Sequence, residues 1–206
     1  MVVAYPSLTR DEFFQAGEEL TRLCEEKLTG SSWLNMKWTG HELQIQQRRN
    51  ETPATSNRED TDSDPDELVQ DDSETFDRAC NYPTSSITID FSIVLSPTYQ
   101  VPVLWFSFSS QAPTSATALD QVYAVIVSPT SRDGLRQIGV LGGISIANHP
   151  ISDMPAFFIH PCRTQEALET VRPDNEISPL QYLLLWFGII GSAVGLSVPA
   201  DVFTSA

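Results

Sequence analysis

Apolar and polar residues alternate most strictly between positions 87 and 95, where Ile, Ile, Phe, Ile and Leu occupy every second position. A period of two predicts a β-strand with one buried face. Residues 96–99 read Ser-Pro-Thr-Tyr, which favours a turn, and residues 101–108 return with apolar side chains on one face. Pro102 stands near the start of this second segment, where a strand tolerates proline. The pattern therefore predicts a central antiparallel hairpin.

The N-terminal segment has the three-to-four-residue spacing of an amphipathic helix. Thr9 or Ser7 can cap its start, and Gly30 is a stop signal. Cys24 falls on the apolar stripe of this helix, and we therefore expect it in the core. The other members of the stripe are Phe13, Phe14, Leu20, Leu23 and Leu28.

Two further strands are predicted at residues 33–38 and 43–49, around the turn-forming pair Thr39-Gly40. Residues 118–127 are ambiguous, because Thr117 can cap a helix whereas the run 122–127 favours a strand by propensity. Three glycines within residues 139–143 match no phosphate-binding loop and indicate a loop. The chain then runs without a predicted element to a short strand that contains residues 157–159.

The C-terminal run 177–200 contains no charged residue and approaches the length of a membrane span. Its nearest charged neighbours are Glu176 and Asp201, so no lysine or arginine flanks it closely. Prolines and glycines also divide the run, at Pro179, Gly188, Gly191, Gly195 and Pro199. We therefore expect a short buried core helix with a looser tail rather than a tail anchor, and no integral membrane segment.

The length of 206 residues suits a single domain with a substantial core. The formal net charge of −15 disfavours binding to nucleic acid or to an anionic membrane by charge attraction. Much of this charge lies in residues 51–80, which hold 11 acidic and two basic residues. The segment 50–83 cannot bury enough apolar area to offset the entropy of ordering, so we predict a disordered acidic insertion.

Neither the insertion nor the cysteines predict a metal site. Four aspartates alternate along residues 60–66, but Pro65 and Asp71 stand where a calcium loop needs glycine and glutamate. The three cysteines are far apart and, with the three histidines, show no zinc-ligand spacing. They also give no disulfide framework, and no signal peptide is visible, which indicates a reducing compartment. The cysteines are Cys24, Cys80 and Cys162.

Residues 157–164, Phe-Phe-Ile-His-Pro-Cys-Arg-Thr, indicate chemistry most directly. Pro161 disfavours helical backbone angles for His160, so the strand should end there and Cys162 should lie exposed just beyond its end. The thiolate is the nucleophile of sulfur chemistry, and access decides whether a cysteine reacts. His160 should point to the same side as Cys162 if the backbone stays extended. No third group that would orient His160 is identifiable, which disfavours a cysteine protease.

Three stretches, in matching order over roughly the C-terminal half, resemble the autophagy-related protein 10 family. The first, Tyr99-Gln100-Val101-Pro102-Val103-Leu104, is similar to that family's central hairpin. The second resembles its active-site region and runs from Asn148-His149-Pro150 through Pro155, Phe157-Phe158 and His160-Pro161-Cys162 to Thr164. The third, residues 186–199, is similar to its C-terminal helix and tail.

The resemblance implies an α+β fold of the ubiquitin-conjugating-enzyme type, with a central antiparallel sheet flanked by helices, and favours a helix at residues 118–127. It also implies an E2-like enzyme without a cofactor. Such an enzyme receives the ubiquitin-like autophagy-related protein 12 from the activating enzyme, autophagy-related protein 7, as a thioester, and passes it to a lysine of autophagy-related protein 5. The position that matches the nucleophile is Cys162. We expect a cytoplasmic protein that can associate peripherally with autophagosome-forming membranes.

One motif departs from ordinary ubiquitin-conjugating enzymes. They carry His-Pro-Asn upstream of the cysteine, whereas this chain has His149-Pro150-Ile151, so the asparagine that supports the oxyanion is missing. His160 and Tyr99 are the polar candidates for that role, with a strand-end hydrogen bond and a hairpin aromatic as their structural alternatives. Thioester exchange swaps one thiol for another at similar energy, so the reaction requires no strongly lowered thiol pKa.

Two other interpretations stay open. The sister family, autophagy-related protein 3, also carries His-Pro-Cys and conjugates a lipid. A non-catalytic interaction module would bind a partner at its sheet edge, and Cys162 would then be structural.

Overall fold

A six-stranded antiparallel sheet organises the protein in a computed structural model, which describes residues 1–25, 32–50, 86–109, 122, 126 and 143–200. The strands lie in the order β1-β2-β3-β4-β6-β5. Every neighbouring pair is antiparallel. Their bounds are β1 Trp33–Trp38, β2 Glu42–Asn50, β3 Ser86–Leu95, β4 Pro102–Phe108, β5 Ile144–Asn148 and β6 Pro155–Ile159.

The register of the central strands sorts the side chains into two faces. Ile45 lies opposite Phe91, and Phe91 lies opposite Phe106, so these residues share one face, which is buried. Ser92 lies opposite Trp105 on the other face, where both side chains stay partly exposed. Because neighbouring strands keep this alternation in step, the sheet has a dry face toward the helices and a second, more polar face.

Three helices are described, α1 Arg10–Glu25, α2 Thr164–Thr170 and α3 Pro179–Trp186. At the start of α1 the Glu12 carboxylate accepts the Thr9 backbone N–H at 2.8 Å, while Thr9 Oγ1 accepts the Glu12 N–H at 3.2 Å. Ser178 and Gln181 form the same reciprocal cap on α3. These caps satisfy backbone N–H groups that have no partner within a helix. Helix α1 packs against α3 and β1.

The C-terminal run is a core element. Helix α3 continues into a π-helical turn, Phe187–Gly191, and Tyr182, Trp186 and Phe187 are each 1% exposed or less. The Tyr182 hydroxyl donates to the Pro6 carbonyl at 2.7 Å, which ties the N-terminal segment to α3. None of the helices in the described part of the chain has the length and hydropathy that a membrane span needs. The prediction of a short buried helix with a looser tail is confirmed.

The predicted hairpins and the N-terminal helix are confirmed, with Thr9 as the cap of α1 and Cys24 in the core. Phe14 belongs to the predicted apolar stripe but is 41% exposed, and its ring meets Trp38 edge-on at the margin of the stripe. The region before residue 157 was expected to be a loop, whereas it holds β5 and the start of β6. Helix α2 had no predicted counterpart.

Several predictions lie outside the described residues. The predicted insertion at 50–83 does so apart from Asn50, which ends β2. The stop signal at Gly30, the aspartates of residues 60–66 and Cys80 are also outside. Within the ambiguous segment 118–127, Val122 and Ile126 are described, and both are helical and buried.

Replacing Gly17 by alanine should lower the free energy of unfolding by about 1–2 kcal/mol, measured by urea denaturation. A Cβ at this position of α1 would lie 2.5 Å from the Trp38 ring. Edge contacts with Phe13 and Phe14 hold that ring, at 5.4 Å and 5.8 Å between ring centroids. The overpacking cost therefore exceeds the gain in helix propensity.

Gly188→Ala is the matched control, since a Cβ there would meet no atom within 4 Å. This variant should be at least as stable as the wild type. Equal stability of Gly17→Ala and Gly188→Ala would contradict the close packing of α1 on Trp38.

Candidate active site

Cys162 lies exposed at the point where the sheet passes into helix α2. Strand β6 ends at Ile159, and His160 keeps an extended backbone with φ −66° and ψ 128°. Pro161 then opens a 3₁₀ turn, Pro161–Arg163, that leads directly into α2. The N–H of His160 donates to the Gly143 carbonyl at 2.9 Å, which anchors the strand end beside β5.

His160 contacts Cys162 through the backbone. The Cys162 N–H donates to His160 Nδ1 at 3.2 Å, so the imidazole caps the 3₁₀ turn. The backbone does not stay extended past His160, because Pro161 opens the 3₁₀ turn, and the two residues meet through this hydrogen bond instead. A neutral imidazole that accepts at Nδ1 carries its proton on Nε2, which leaves Nε2–H as a donor.

The two described cysteines differ sharply in environment. Cys24 is fully buried in the core, and burial raises the pKa of its thiol to about 11. At neutral pH such a thiol is almost entirely protonated and is a poor nucleophile. Cys162 is exposed. Of these two thiols, the one at the end of β6 is therefore the candidate for chemistry.

Tyr99 lies beside His160, in the loop between β3 and β4. The two rings meet edge-on, with centroids 5.9 Å apart and planes at 76°. Ser96 Oγ accepts the Tyr99 N–H at 3.2 Å, and Gln165 Nε2 donates to the Tyr99 carbonyl at 2.9 Å. Because Gln165 belongs to α2, the helix that follows Cys162 also holds the Tyr99 loop. The structure thus brings the three predicted site residues together.

The motif His149-Pro150-Ile151 forms the turn between β5 and β6, on the polar face of the sheet. His149 is 6% exposed, and its Nδ1 accepts the backbone N–H groups of Ile151 at 3.3 Å and Ser152 at 3.2 Å. Its Nε2 lies 2.8 Å from Ser92 Oγ. Ile151, which stands where ordinary ubiquitin-conjugating enzymes carry asparagine, is 46% exposed. His149 therefore uses both ring nitrogens to hold this turn.

A buried carboxylate completes this arrangement. Glu42 is 5% exposed, accepts a hydrogen bond from the Ser92 hydroxyl, and lies 3.6 Å from His149 Nε2. Burial lowers the pKa of His149, although the charge of Glu42 acts in the opposite direction. The neutral ring can donate from Nε2 while it accepts at Nδ1, which satisfies every polar atom of His149. Sequence reasoning missed Glu42 and Ser92, since only the strand register brings them to His149.

An apolar groove of about 670 Å³ adjoins the residues before Cys162. Its aromatic floor includes Trp105 and Phe158, whose rings stack with centroids 4.6 Å apart. The Trp105 ring also meets the His149 ring edge-on at 5.2 Å. Tyr99, Ile151 and Pro161 contribute to the walls. The turn that His149 holds thus forms one side of the groove, and the segment before the thiol forms another.

The search for metal ligands gives no candidate among the described residues. No group of three or more histidine, cysteine, aspartate or glutamate side chains within the described ranges is placed to hold an ion. The groups that the described residues place around Cys162 include an imidazole, a phenol and backbone amides.

His149 should make stability depend on pH near the acid end of the physiological range. Its pKa is lower in the folded protein than the ordinary value of about 6.5, so the unfolded chain binds the proton first. The free energy of unfolding should therefore fall as the pH drops below about 6.5. His149→Asn keeps an oxygen that can accept the two turn N–H groups but has no titrating ring, and should show a shallower decline between about pH 6.5 and 5.

His41→Asn is the control for this measurement, because the His41 ring is exposed. It should reproduce the wild-type pH dependence in urea denaturation at each pH. Parallel curves for the wild type and His149→Asn would show that the buried ring does not carry the dependence.

Comparison with known proteins places the chain in a family. A family model described as "autophagocytosis associated protein, active-site domain" matches residues 12–201. The chain is 38% identical over 115 residues to the ubiquitin-like-conjugating enzyme ATG10 of Gibberella zeae, covering 55% of this chain and 47% of that protein. It is 32% identical over 135 residues to ATG10 of Homo sapiens, covering 65% and 59%. ATG10 of Dictyostelium discoideum is 28% identical over 126 residues, covering 56% and 54%.

The chain spans about half the length of the curated relatives that it matches. The matched region nevertheless runs from the first turn of α1 to the C-terminal tail and contains Cys162, His160 and Tyr99. The resemblance to the autophagy-related protein 10 family is confirmed, and the chain belongs to the family of autophagocytosis-associated proteins with this active-site domain.

Proposed function

We propose that this protein is an E2-like conjugating enzyme that carries a ubiquitin-like modifier as a thioester on Cys162. The observation that carries the proposal is the exposed thiol at the sheet-to-helix turn, whose own N–H is held by His160 Nδ1. Its relatives are named ubiquitin-like-conjugating enzymes, which agrees with this chemistry.

In the first step the Cys162 thiolate attacks the carbonyl carbon of the thioester that links the modifier to its activating enzyme. A new C–S bond forms to Cys162, the old C–S bond breaks, and the activating enzyme leaves as a thiolate. The exchange is nearly balanced in energy because one thioester replaces another. The main requirement on Cys162 is therefore that the incoming thioester can reach its sulfur.

In the second step a neutral lysine amine attacks the same carbonyl. The C–N bond forms, the C–S bond breaks, Cys162 leaves as a thiolate, and the amine loses its proton to solvent. Negative charge develops on the carbonyl oxygen, where hydrogen-bond donors lower the barrier. His160 Nε2–H and the Tyr99 hydroxyl are the donors that we assign to this oxygen. Both belong to side chains that are partly exposed beside the Cys162 turn.

We assign the partners by family. The modifier is autophagy-related protein 12, the activating enzyme is autophagy-related protein 7, and the acceptor is a lysine of autophagy-related protein 5. The reaction takes place in the cytoplasm, with peripheral association at autophagosome-forming membranes. These partner assignments rest on the resemblance to the autophagy-related protein 10 family, and the relatives' name, ubiquitin-like-conjugating enzyme, supports a ubiquitin-like modifier in general.

Incubation with the activating enzyme, the modifier and ATP should give an adduct that thiols reduce. Cys162→Ser should convert it to an ester that resists thiols, and Cys162→Ala should abolish it, because the alanine side chain has no nucleophilic atom to hold the acyl group. The products are separated on gels with and without reducing agent.

Cys24→Ala is the control and should charge normally, since that thiol is buried with a raised pKa. An adduct that survives Cys162→Ala but disappears with Cys24→Ala would sink the assignment. Offering the modifiers of the autophagy-related protein 10 and protein 3 systems side by side tests the choice of modifier. Thioester formation with the modifier of the autophagy-related protein 3 system alone would overturn our assignment of autophagy-related protein 12.

Removing either oxyanion donor should slow discharge to lysine and leave charging intact. We expect Tyr99→Phe and His160→Ala each to lower the maximal discharge rate by about 100-fold. His160→Asn should retain much of the activity, because an amide oxygen can accept the Cys162 N–H while its NH₂ group donates to the oxyanion. Single-turnover discharge of preformed thioester at rising lysine concentration separates the maximal rate from binding. A change in apparent KM alone would argue against an oxyanion role.

A further inference from the structure

We infer that the apolar groove beside Cys162 binds the C-terminal tail of the thioester-linked modifier, and that it selects a tail with an apolar side chain and no basic one. This inference rests on the proposed function, because the tail reaches the groove only as an acyl group at the active site. It goes further in assigning a subsite and the chemical class of peptide that fits it.

The groove has the surface character of a peptide subsite. Tyr99, Trp105 and Phe158 present aromatic rings that are only partly buried. Of the aliphatic residues that line the groove, Ile151 is 46% exposed, Val94 and Leu95 are partly exposed, and Val103 is buried. Apolar area left facing water in a concave site stabilises a ligand that covers it. A volume of about 670 Å³ accommodates a few residues of extended chain rather than a folded domain.

The tether decides which segment lies closest. Pro161 lines one end of the groove and is bonded directly to Cys162. An acyl group on the sulfur holds the last residues of its chain nearby, because each residue of extended chain spans at most about 3.5 Å. Such a tether raises the local concentration of the tail to the millimolar range without any further contact. The tail is therefore the segment that lies next to the groove whenever Cys162 carries the modifier as a thioester.

Charge argues against the attacking lysine as the occupant. Arg10 and His41 lie at the rim of the groove, and both are exposed. Among the described residues that line the groove, none is aspartate or glutamate. A lysine or arginine side chain would therefore lose water against an apolar wall and meet Arg10 without a compensating carboxylate. An apolar side chain meets no such cost, and an acidic one is attracted to the rim.

Short synthetic peptide thioesters test this without any partner protein. Hexapeptides that end in glycine 2-mercaptoethanesulfonate thioesters carry leucine, aspartate or arginine at each of the preceding positions in turn. Acylation of Cys162 in the full chain is followed by mass spectrometry. We expect leucine to react about tenfold faster than arginine at one or two positions, with aspartate between them.

Two variants with a matched control locate the preference. Ile151→Ser should remove most of the leucine advantage, whereas Met154→Ser should keep it, because Met154 is exposed in the same turn but does not line the groove. Arg10→Glu should speed the arginine peptides and slow the aspartate peptides, each by about threefold. All three side chains are exposed, so these changes leave the core intact.

Equal rates for the leucine and arginine peptides at all positions would overturn the inference, as would an unchanged preference in both Ile151→Ser and Arg10→Glu. If the protein forms the thioester adduct with the modifier but shows no preference among the peptides, this inference alone is overturned. A peptide preference without any such adduct overturns the proposed function of the whole enzyme.

Discussion

The pairing of β3 with β2 and β4 is the constraint on which the rest of the structure depends. Phe91 faces Ile45 on one side and Phe106 on the other, and this buried row sets the register of three strands. A slip by one residue would turn every side chain of β3 to the opposite face. The same register that buries Phe91 brings Ser92 to the polar face, beside Glu42 and His149. The apolar core and the scaffold of the candidate active site are thus two consequences of one alignment.

That alignment explains how a row of hydrogen-bonded polar side chains can be buried at a low cost in free energy. Removing Glu42, Ser92 and His149 from water is unfavourable unless each polar atom finds a partner. Here Nε2 of His149 meets Ser92, Ser92 meets Glu42, and Nδ1 meets two backbone amides. A network of this kind tolerates few alternative arrangements, because breaking one hydrogen bond leaves buried polar atoms without a partner. The turn that carries Ile151 is therefore held in a single position on the sheet.

The strength of local patterns decided how much could be predicted from sequence. The alternation in residues 87–95 identified β3, and Pro161 after His160 identified the end of β6, because both signals are local. Strand β5 was missed because it is only five residues long, and the alternation of Ile144 and Ile146 is too short a pattern to predict a strand. Helix α2 was missed because it is short and buries only Thr164 and Leu168.

The site could be predicted only where its residues are neighbours in sequence. Cys162 and His160 are adjacent to one proline, whereas Glu42 lies 50 residues before Ser92 and Ser92 lies 57 before His149. No spacing rule connects such distant positions, since the strand register alone brings them together. The contact of Tyr99 with His160 likewise depends on how the β3–β4 loop is held by Gln165.

The two His-Pro motifs show how burial divides scaffold from chemistry. In each, the residue after histidine is proline, and Nδ1 accepts the backbone N–H two residues on: that of Ile151 for His149 and that of Cys162 for His160. The local device is the same, so it cannot assign the roles. His149 is buried, and its Nε2 is taken by Ser92, which leaves it no free donor. His160 is partly exposed beside a thiol, and its capping bond leaves Nε2–H free to meet a developing oxyanion. Position relative to the sheet, rather than the motif itself, makes one histidine a support for the turn and the other a candidate in the reaction.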